Sequence, residues 1–217
     1  MYLTIQGIVL RVTDYNDRDA LLTVLSRNHG KLTVKARGLR RKNSPLTAPC
    51  QLLALGEFTL FGYKGTYSVN EAHSLALFQG LRRDLQKLSL GTYFAQAAEL
   101  LSQEDMPNPE LLSLTLNCLH ALSDLDVPEL QVKAVFELRC ASLAGYMPDL
   151  YGCRNCGLKY PDRFDISSGS LECHSCRNMN FDGLRLPVSP GVLDAMRYVV
   201  SSRSRGFFLT DKISCLR

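Results

Sequence analysis

Residues 153–176 read CRNCGLKYPDRFDISSGSLECHSC, two Cys-x-x-Cys pairs separated by sixteen residues. Four thiolates at this spacing can close a tetrahedral shell with metal–sulfur distances of ~2.3 Å. The segment between the pairs carries a Ser167-Ser168-Gly169 turn and is long enough to bring the two knuckles together. Cys153, Cys156, Cys173 and Cys176 are therefore the expected ligands of one ion, zinc first and iron second. His174 could replace a neighbouring cysteine, but four cysteines already complete the shell. The bland alternative, four ordinary buried thiols, does not account for so regular a spacing. A closed thiolate shell leaves no open position for water or substrate, so the ion is expected to hold the chain rather than do chemistry. Cys50, Cys118, Cys140 and Cys215 are isolated, and Cys118 and Cys140 fall at helical core positions.

No second constellation offers catalysis. His29, His73, His120 and His174 are scattered, and neither a phosphate-binding glycine motif nor a Gly-x-Ser-x-Gly elbow is present. Asp124 and Asp126 flank a helix break, and Glu104-Asp105 reads as a solvated helix end. The residues argue against an enzyme, and no small-molecule substrate is expected.

The second informative stretch is KLTVKARGLRRKNSP. No acidic residue lies between Ala20 and Gly56, whereas Lys31, Lys35, Arg37, Arg40, Arg41 and Lys42 crowd into residues 31–42. On a strand Lys31, Lys35 and Arg37 share parity, and Arg40, Arg41 and Lys42 follow in a mobile loop, so a continuous positive patch is expected. Phosphate backbones are its natural partner. A solvated charged face is the plainer reading. Tyr63 and Tyr67 are the aromatic residues best suited to stack on bases, while Phe58 and Phe61 read as core. Nothing resembles a base-reading code, so binding should tolerate any sequence.

These residues need elements to position them. Apolar alternation at Leu3, Ile5 and Val9, shifting parity near Gly7 to Ile8, Leu10 and Val12, predicts a first strand with a bulge or a close backbone approach at Gly7. ALLTVLS, a turn at Asn28-His29-Gly30, KLTVKARG, LLALGEFTLFGY, a turn near Lys64-Gly65 and TYSVNEAHSLALF complete five strands. Five short strands in about 80 residues predict a small bent barrel, with an open sheet as the alternative. From Leu81 the period becomes helical, with a break possible at Gly91 and a stop at Pro107-Asn108-Pro109. A second helix follows. A third starts at Pro128, with Asp126 as a possible cap, and ends near Gly145. Ser189-Pro190 opens a last helix with Val192, Met196, Val199 and Val200 on one side.

The net charge of +4 is uneven. Residues 1–80 carry +5, residues 81–152 carry −5 and residues 153–217 carry +4, as if separate modules met different partners. No apolar run approaches the ~20 residues of a membrane helix, and the opening MYLTIQGIVLRV is a poor secretory signal. A cytosolic protein is expected, in which paired Cys-x-x-Cys motifs bind metal rather than form disulfides.

Taken in order, GIVLRVTDYNDRDALLTVLSRNHGKLTVKARGLRR, LFQGLRRDL, the cysteine pairs and LPVSPGVLDAMRYV resemble the RecO family of bacterial recombination mediators over nearly the whole chain. The resemblance implies an α+β protein. An oligonucleotide-binding (OB-fold) barrel at residues 1–80 would precede an all-α domain at 81–217, with a four-cysteine zinc-binding insertion at 150–180. It implies one structural zinc ion on Cys153, Cys156, Cys173 and Cys176, and DNA contacts at Lys35, Arg37, Arg40 and Arg41. It further implies binding of single- and double-stranded DNA, strand annealing, and action with RecR to load RecA onto DNA coated by single-strand binding protein. Recognition of that protein's acidic C-terminal tail would fall to the helical domain, in the bacterial cytoplasm at the nucleoid. The family continues into a long final helix after RGFFLTDKI, whereas this sequence ends at Ser214-Cys215-Leu216-Arg217, so an altered C-terminus is expected. A zinc-ribbon adaptor or transcription-associated factor is the alternative from another class, and a nucleic-acid-modifying enzyme the third.

Overall fold

The alternating apolar residues of the first 76 positions form five strands: β1 (Tyr2–Tyr15), β2 (Asp19–Ser26), β3 (Gly30–Ala36), β4 (Leu55–Tyr63) and β5 (Thr66–Ala76). A computed structural model describes residues 1–176 and 183–202. The strands close in the order β1-β2-β3-β5-β4, with β1 against β4 completing the ring and β3 parallel to β5. This closed ring removes the open-sheet alternative. Ile5, Val9, Leu22, Val24, Leu32, Val34, Phe58 and Leu60 fill the interior. At Gly7 a Cβ would lie 2.7 Å from both the Leu25 carbonyl oxygen and Val24 Cγ1, which is the expected close approach. The bulge itself falls three residues later. Register jumps from Val9↔Val24 to Arg11↔Thr23, leaving Leu10 as the extra residue. The cause is local: the Val9 amide donates to Ala54 O and its carbonyl accepts from the Leu53 amide, both at 2.9 Å.

A short 3-10 turn (Gln79–Arg83) leads into α1 (Leu85–Leu101), whose N-terminus is capped by the Asp84 carboxylate accepting from the Gln86 and Lys87 amides. The break expected at Gly91 does not occur. Gly91 is buried inside α1, where a Cβ would meet Leu53 Cδ1 at 3.1 Å and Leu119 Cδ2 at 3.3 Å, so its small size serves packing. Pro109 opens α2 (Pro109–Asp124) with Asn108 as cap, and α3 (Glu129–Leu143) starts one residue after Pro128. Phe94 and Phe136 stack with ring centroids 4.1 Å apart.

The chain divides into two compact units, the first running from Met1 to Phe136 and the second beginning at Glu137. The second contains a three-stranded sheet in the order β7-β6-β8, built from β6 (Arg163–Asp165), β7 (Ser170–Glu172) and β8 (Arg185–Pro187). Helix α4 (Pro190–Ser201), capped by Ser189, lays Leu193, Met196 and Val200 against Leu150, Leu171 and Val188. Val192, expected on that face, is exposed, and Leu193 takes the buried position. The sequence after residue 202, including Cys215 and the expected alteration at the C-terminus, lies outside the described residues.

Candidate metal centre and nucleic-acid interface

The cysteine knuckles are shaped by backbone before any ion is considered. The Cys153 amide donates to Leu158 O at 2.8 Å, and the Gly157 amide donates to Cys153 O at 2.8 Å. Gly157 holds a left-handed φ of 75° that closes this loop. The second knuckle follows β7 directly, with the Cys176 amide donating to Cys173 O at 3.1 Å. Asn155 Nδ2 reaches across to Cys176 O at 3.4 Å.

The four sulfur atoms of Cys153, Cys156, Cys173 and Cys176 lie within 4.8 Å of one another, and Cys156 Sγ is 3.6 Å from Cys173 Sγ. Tetrahedral sulfurs at the zinc distance stand about 3.8 Å apart, so the donor set fits that ion. Among the described residues this is the one cluster of metal-binding side chains. Burial pushes the Cys153 thiol up, but backbone donors at Asn155, Cys156 and Cys173 outweigh it and hold the thiol at about 6. Cys176 is pushed up to about 12 by hydrogen bonding with Cys156 and Cys173, and Cys173 is raised by burial. One thiolate in the cluster thus opposes the next until a cation joins them. By contrast Cys50 and Cys140 are pushed up to about 12, chiefly by burial, and with the buried Cys118 they are inert core thiols.

Around the cluster, Glu172 lies buried between Arg154 and Arg185, and Arg154 Nη1 also reaches the fully buried Asp165 at 3.4 Å. Arg197 on α4 holds the first knuckle, donating to Leu150 O at 2.8 Å and to Lys159 O at 2.6 Å. Spacing alone does not reveal these fastenings, because their residues are separated by up to 47 positions.

The basic residues of 31–42 are placed less uniformly than parity implies. Lys31 leaves the patch: its Nζ donates to Glu99 O on α1 at 3.2 Å. Lys35 faces outward but pairs with Asp19 at 3.2 Å and lies 4.4 Å from the centre of the Tyr15 ring. Arg40 pairs with Asp14 at 3.1 Å. Arg37, Arg41 and Lys42 are exposed and make no ion pair among the described residues. The acid-free count missed Asp14 and Asp19 because strand pairing, not sequence proximity, delivers them: Tyr15 faces Asp19, and Ala20 faces Ala36. The loop is also tied down rather than mobile. The Arg40 amide donates to Arg18 O and the Arg41 amide to Gly38 O, both at 3.1 Å, while Leu39 and Leu46 pack on the barrel core.

Among the aromatics, Phe58 is core as expected, but Phe61 is not. It points outward at 41% exposure and meets the ring of Tyr2 at 5.4 Å. Tyr63 is exposed, with Lys64 Nζ 5.4 Å from its ring centre. Tyr67 pairs with inward-facing Val34 and packs half-buried against the interior, while still lining a shallow concavity with Leu3, Tyr63 and Thr66. No helix among the described residues is long and apolar enough to cross a membrane.

Comparison with known proteins places this geometry. A family model described as Recombination protein O N terminal matches residues 1–78, and one described as Recombination protein O C terminal matches residues 82–210. DNA repair protein RecO of Acetivibrio thermocellus is 34% identical over 209 residues, covering 95% of this chain and 82% of its own length. DNA repair protein RecO of Alkaliphilus metalliredigens is 29% identical over 190 residues, with 87% and 77% covered. Its counterpart in Bacillus subtilis is 29% identical over 195 residues, with 88% and 74% covered. A five-stranded oligonucleotide-binding barrel, helices after it, a four-cysteine cluster and two family models that together span residues 1–210 with a short gap agree: the chain belongs to the RecO family of DNA repair proteins.

Proposed function

We propose that the chain is a non-enzymatic mediator that binds single- and double-stranded DNA through its barrel and anneals complementary strands. The observation that carries this reading is the loop after β3, where Arg37, Arg41 and Lys42 project without carboxylate partners among the described residues. In barrels of this fold the β2–β3 face and adjoining loops take oligonucleotides. Cations there neutralise phosphates of two strands at once and let the bases find register. Pairing makes and breaks no covalent bond, so no catalytic group and no small-molecule substrate are required.

Cys153, Cys156, Cys173 and Cys176 would hold one zinc ion, which supplies a cross-link between the knuckles and no reaction step. The division into a DNA-binding domain at 1–80 and a helical domain at 81–217, with the zinc insertion at 150–180, is supported by the two family matches. The helical domain is the proposed contact for RecR and for the C-terminal tail of single-strand binding protein, which together permit RecA loading. The setting is the bacterial cytoplasm, at the nucleoid.

The test is a fluorescence annealing assay with two complementary oligonucleotides, with and without single-strand binding protein, on wild type and on Arg37→Glu/Arg40→Glu/Arg41→Glu. The triple variant is expected to lose affinity for all sequences and to flatten the slope of log K against log salt by roughly 1.4, at about 0.7 for each of the unpaired Arg37 and Arg41. Unchanged single-strand affinity overturns the interface. Absence of any DNA binding at low salt would favour the protein-binding adaptor.

A further inference from the structure

Barrel register aligns outward residues that lie far apart in sequence. Lys35 faces Ser68 across β3–β5, Ser68 faces Phe61 across β5–β4, and Phe61 faces Tyr2 across β4–β1. Directly paired residues share a face of the sheet, and Val34 and Ala36, the neighbours of Lys35, are fully buried. Lys35, Ser68, Phe61 and Tyr2 therefore form one circumferential row on the barrel's outer wall. Ser68, small and half-buried, lies between the lysine and the rings. Lys35 and Phe61 stand two strand spacings apart, about 10 Å.

Tyr2 is 64% exposed and Phe61 41% exposed, so both rings present free faces although they already touch each other. The row is bordered on the turn side by Tyr63, 61% exposed, with Lys64 beside its ring. On the other side lies Glu71, opposite Thr59 and held 3.2 Å from His73. A polyanion arriving beside the Lys35–Asp19 pair therefore meets the Lys64 ammonium toward Tyr63 and the Glu71 carboxylate in the other direction.

We propose that Phe61 and Tyr2 form a stacking platform for unpaired bases, and that a single strand crosses the barrel along this row from Lys35 to the Tyr63–Lys64 turn. The inference rests on the DNA-binding reading above and adds to it a path and a preference for unpaired over paired bases. Duplex bases are already stacked and give the rings nothing. A single strand splays its bases and can place one on each ring.

The experiment uses the full chain with three probes: a mixed-sequence single strand, an abasic strand of the same length, and a duplex. Wild type is expected to bind the base-containing strand more tightly than the abasic one. Tyr2→Ala/Phe61→Ala is expected to lose roughly thirtyfold or more in affinity for the base-containing strand, one stacked base per ring. Its affinity for the abasic strand and the duplex, and its salt slope, should not change. Tyr2→Leu/Phe61→Leu, which keeps an apolar surface without rings, should behave like the alanine pair, and Tyr2→Trp/Phe61→Trp, which keeps both rings, should bind as wild type does. The platform is overturned if the double variant binds base-containing strands as wild type does while the Arg37/Arg40/Arg41 reversal still weakens them. It is equally overturned if wild type does not distinguish abasic from base-containing strands. If the charge reversal also changes nothing, the DNA-binding reading itself fails.

Discussion

Two carboxylates set how much of the basic stretch is available. Asp19 accepts the Gly38 amide at 2.9 Å and pairs with Lys35 at 3.2 Å; the amide, then the lysine, hold its carboxyl below the usual range. It therefore stays ionised throughout neutral pH and neutralises Lys35 under any condition used to measure DNA binding. The pair is complete above the ordinary carboxylate range and is lost only as pH falls through the depressed value. Arg40 has its own carboxylate partner, Asp14, at 3.1 Å. Both pairs are partly exposed, so their effect on stability is small. Their effect on ligand charge is not. Asp14→Asn/Asp19→Asn is expected to bind single strands more tightly at low salt and to steepen the salt slope by about 0.7 for each cation that gains a phosphate. An unchanged slope in a salt titration would mean that Lys35 and Arg40 do not reach DNA. An asparagine at position 19 can still accept from Gly38, which keeps the turn intact as the charge is removed.

At the scale of elements, the start of β3 joins barrel to helices. The Lys31 amide donates to Gln103 O at 3.2 Å, Gly30 and Lys31 form bridges with Glu104, and Arg11 on β1 pairs with Glu99 on α1 at 2.9 Å. Gly30 holds a φ of 64°, and a Cβ there would run into the Met106 backbone. Gly30→Ala should cost at least about 1 kcal/mol from backbone strain alone, with more from displacing residues 103–106. A urea midpoint equal to wild type would show that this docking is dispensable. The turn at Asn28-His29-Gly30 was legible in the residues; its second role against Met106 was not, because turn chemistry is local and docking joins positions more than seventy residues apart. The same distinction runs through the molecule. Strand count, the cysteine cluster and the Ser189 helix start follow from short-range pattern. The inward turn of Tyr67, the outward turn of Phe61 and the capture of Lys31 by Glu99 depend on which strand or helix lies alongside. Gly91 belongs with these: a glycine in a helical period reads as a break until Leu53 and Leu119 close over it.

For the whole molecule, the two compact units are stabilised by different means. The first has an interior of aliphatic residues and Phe58 in the barrel, and the Phe94–Phe136 stack among its helices. The second rests on four buried residues, Leu150, Leu171, Val188 and Leu193, with short three-residue strands. Its sheet also buries the carboxylates of Asp165 and Glu172, which are costly unless Arg154 and Arg185 stay in place. So small a core needs a staple, and zinc binding is worth on the order of 10 kcal/mol in isolated zinc-finger peptides, which is what the proposed ion would bring here. Strong chelation is therefore expected to open the cysteine segment while the barrel stays folded. Limited proteolysis should then cut within residues 145–176, with residues 1–80 protected, and single-strand affinity should remain within about twofold of the untreated protein. Cys153→Ser/Cys176→Ser should reproduce the cleavage pattern without a chelator. If chelation abolished DNA binding together with the cysteine segment, the ion would be holding the DNA-binding surface itself, and the separation of scaffold from interface would not stand.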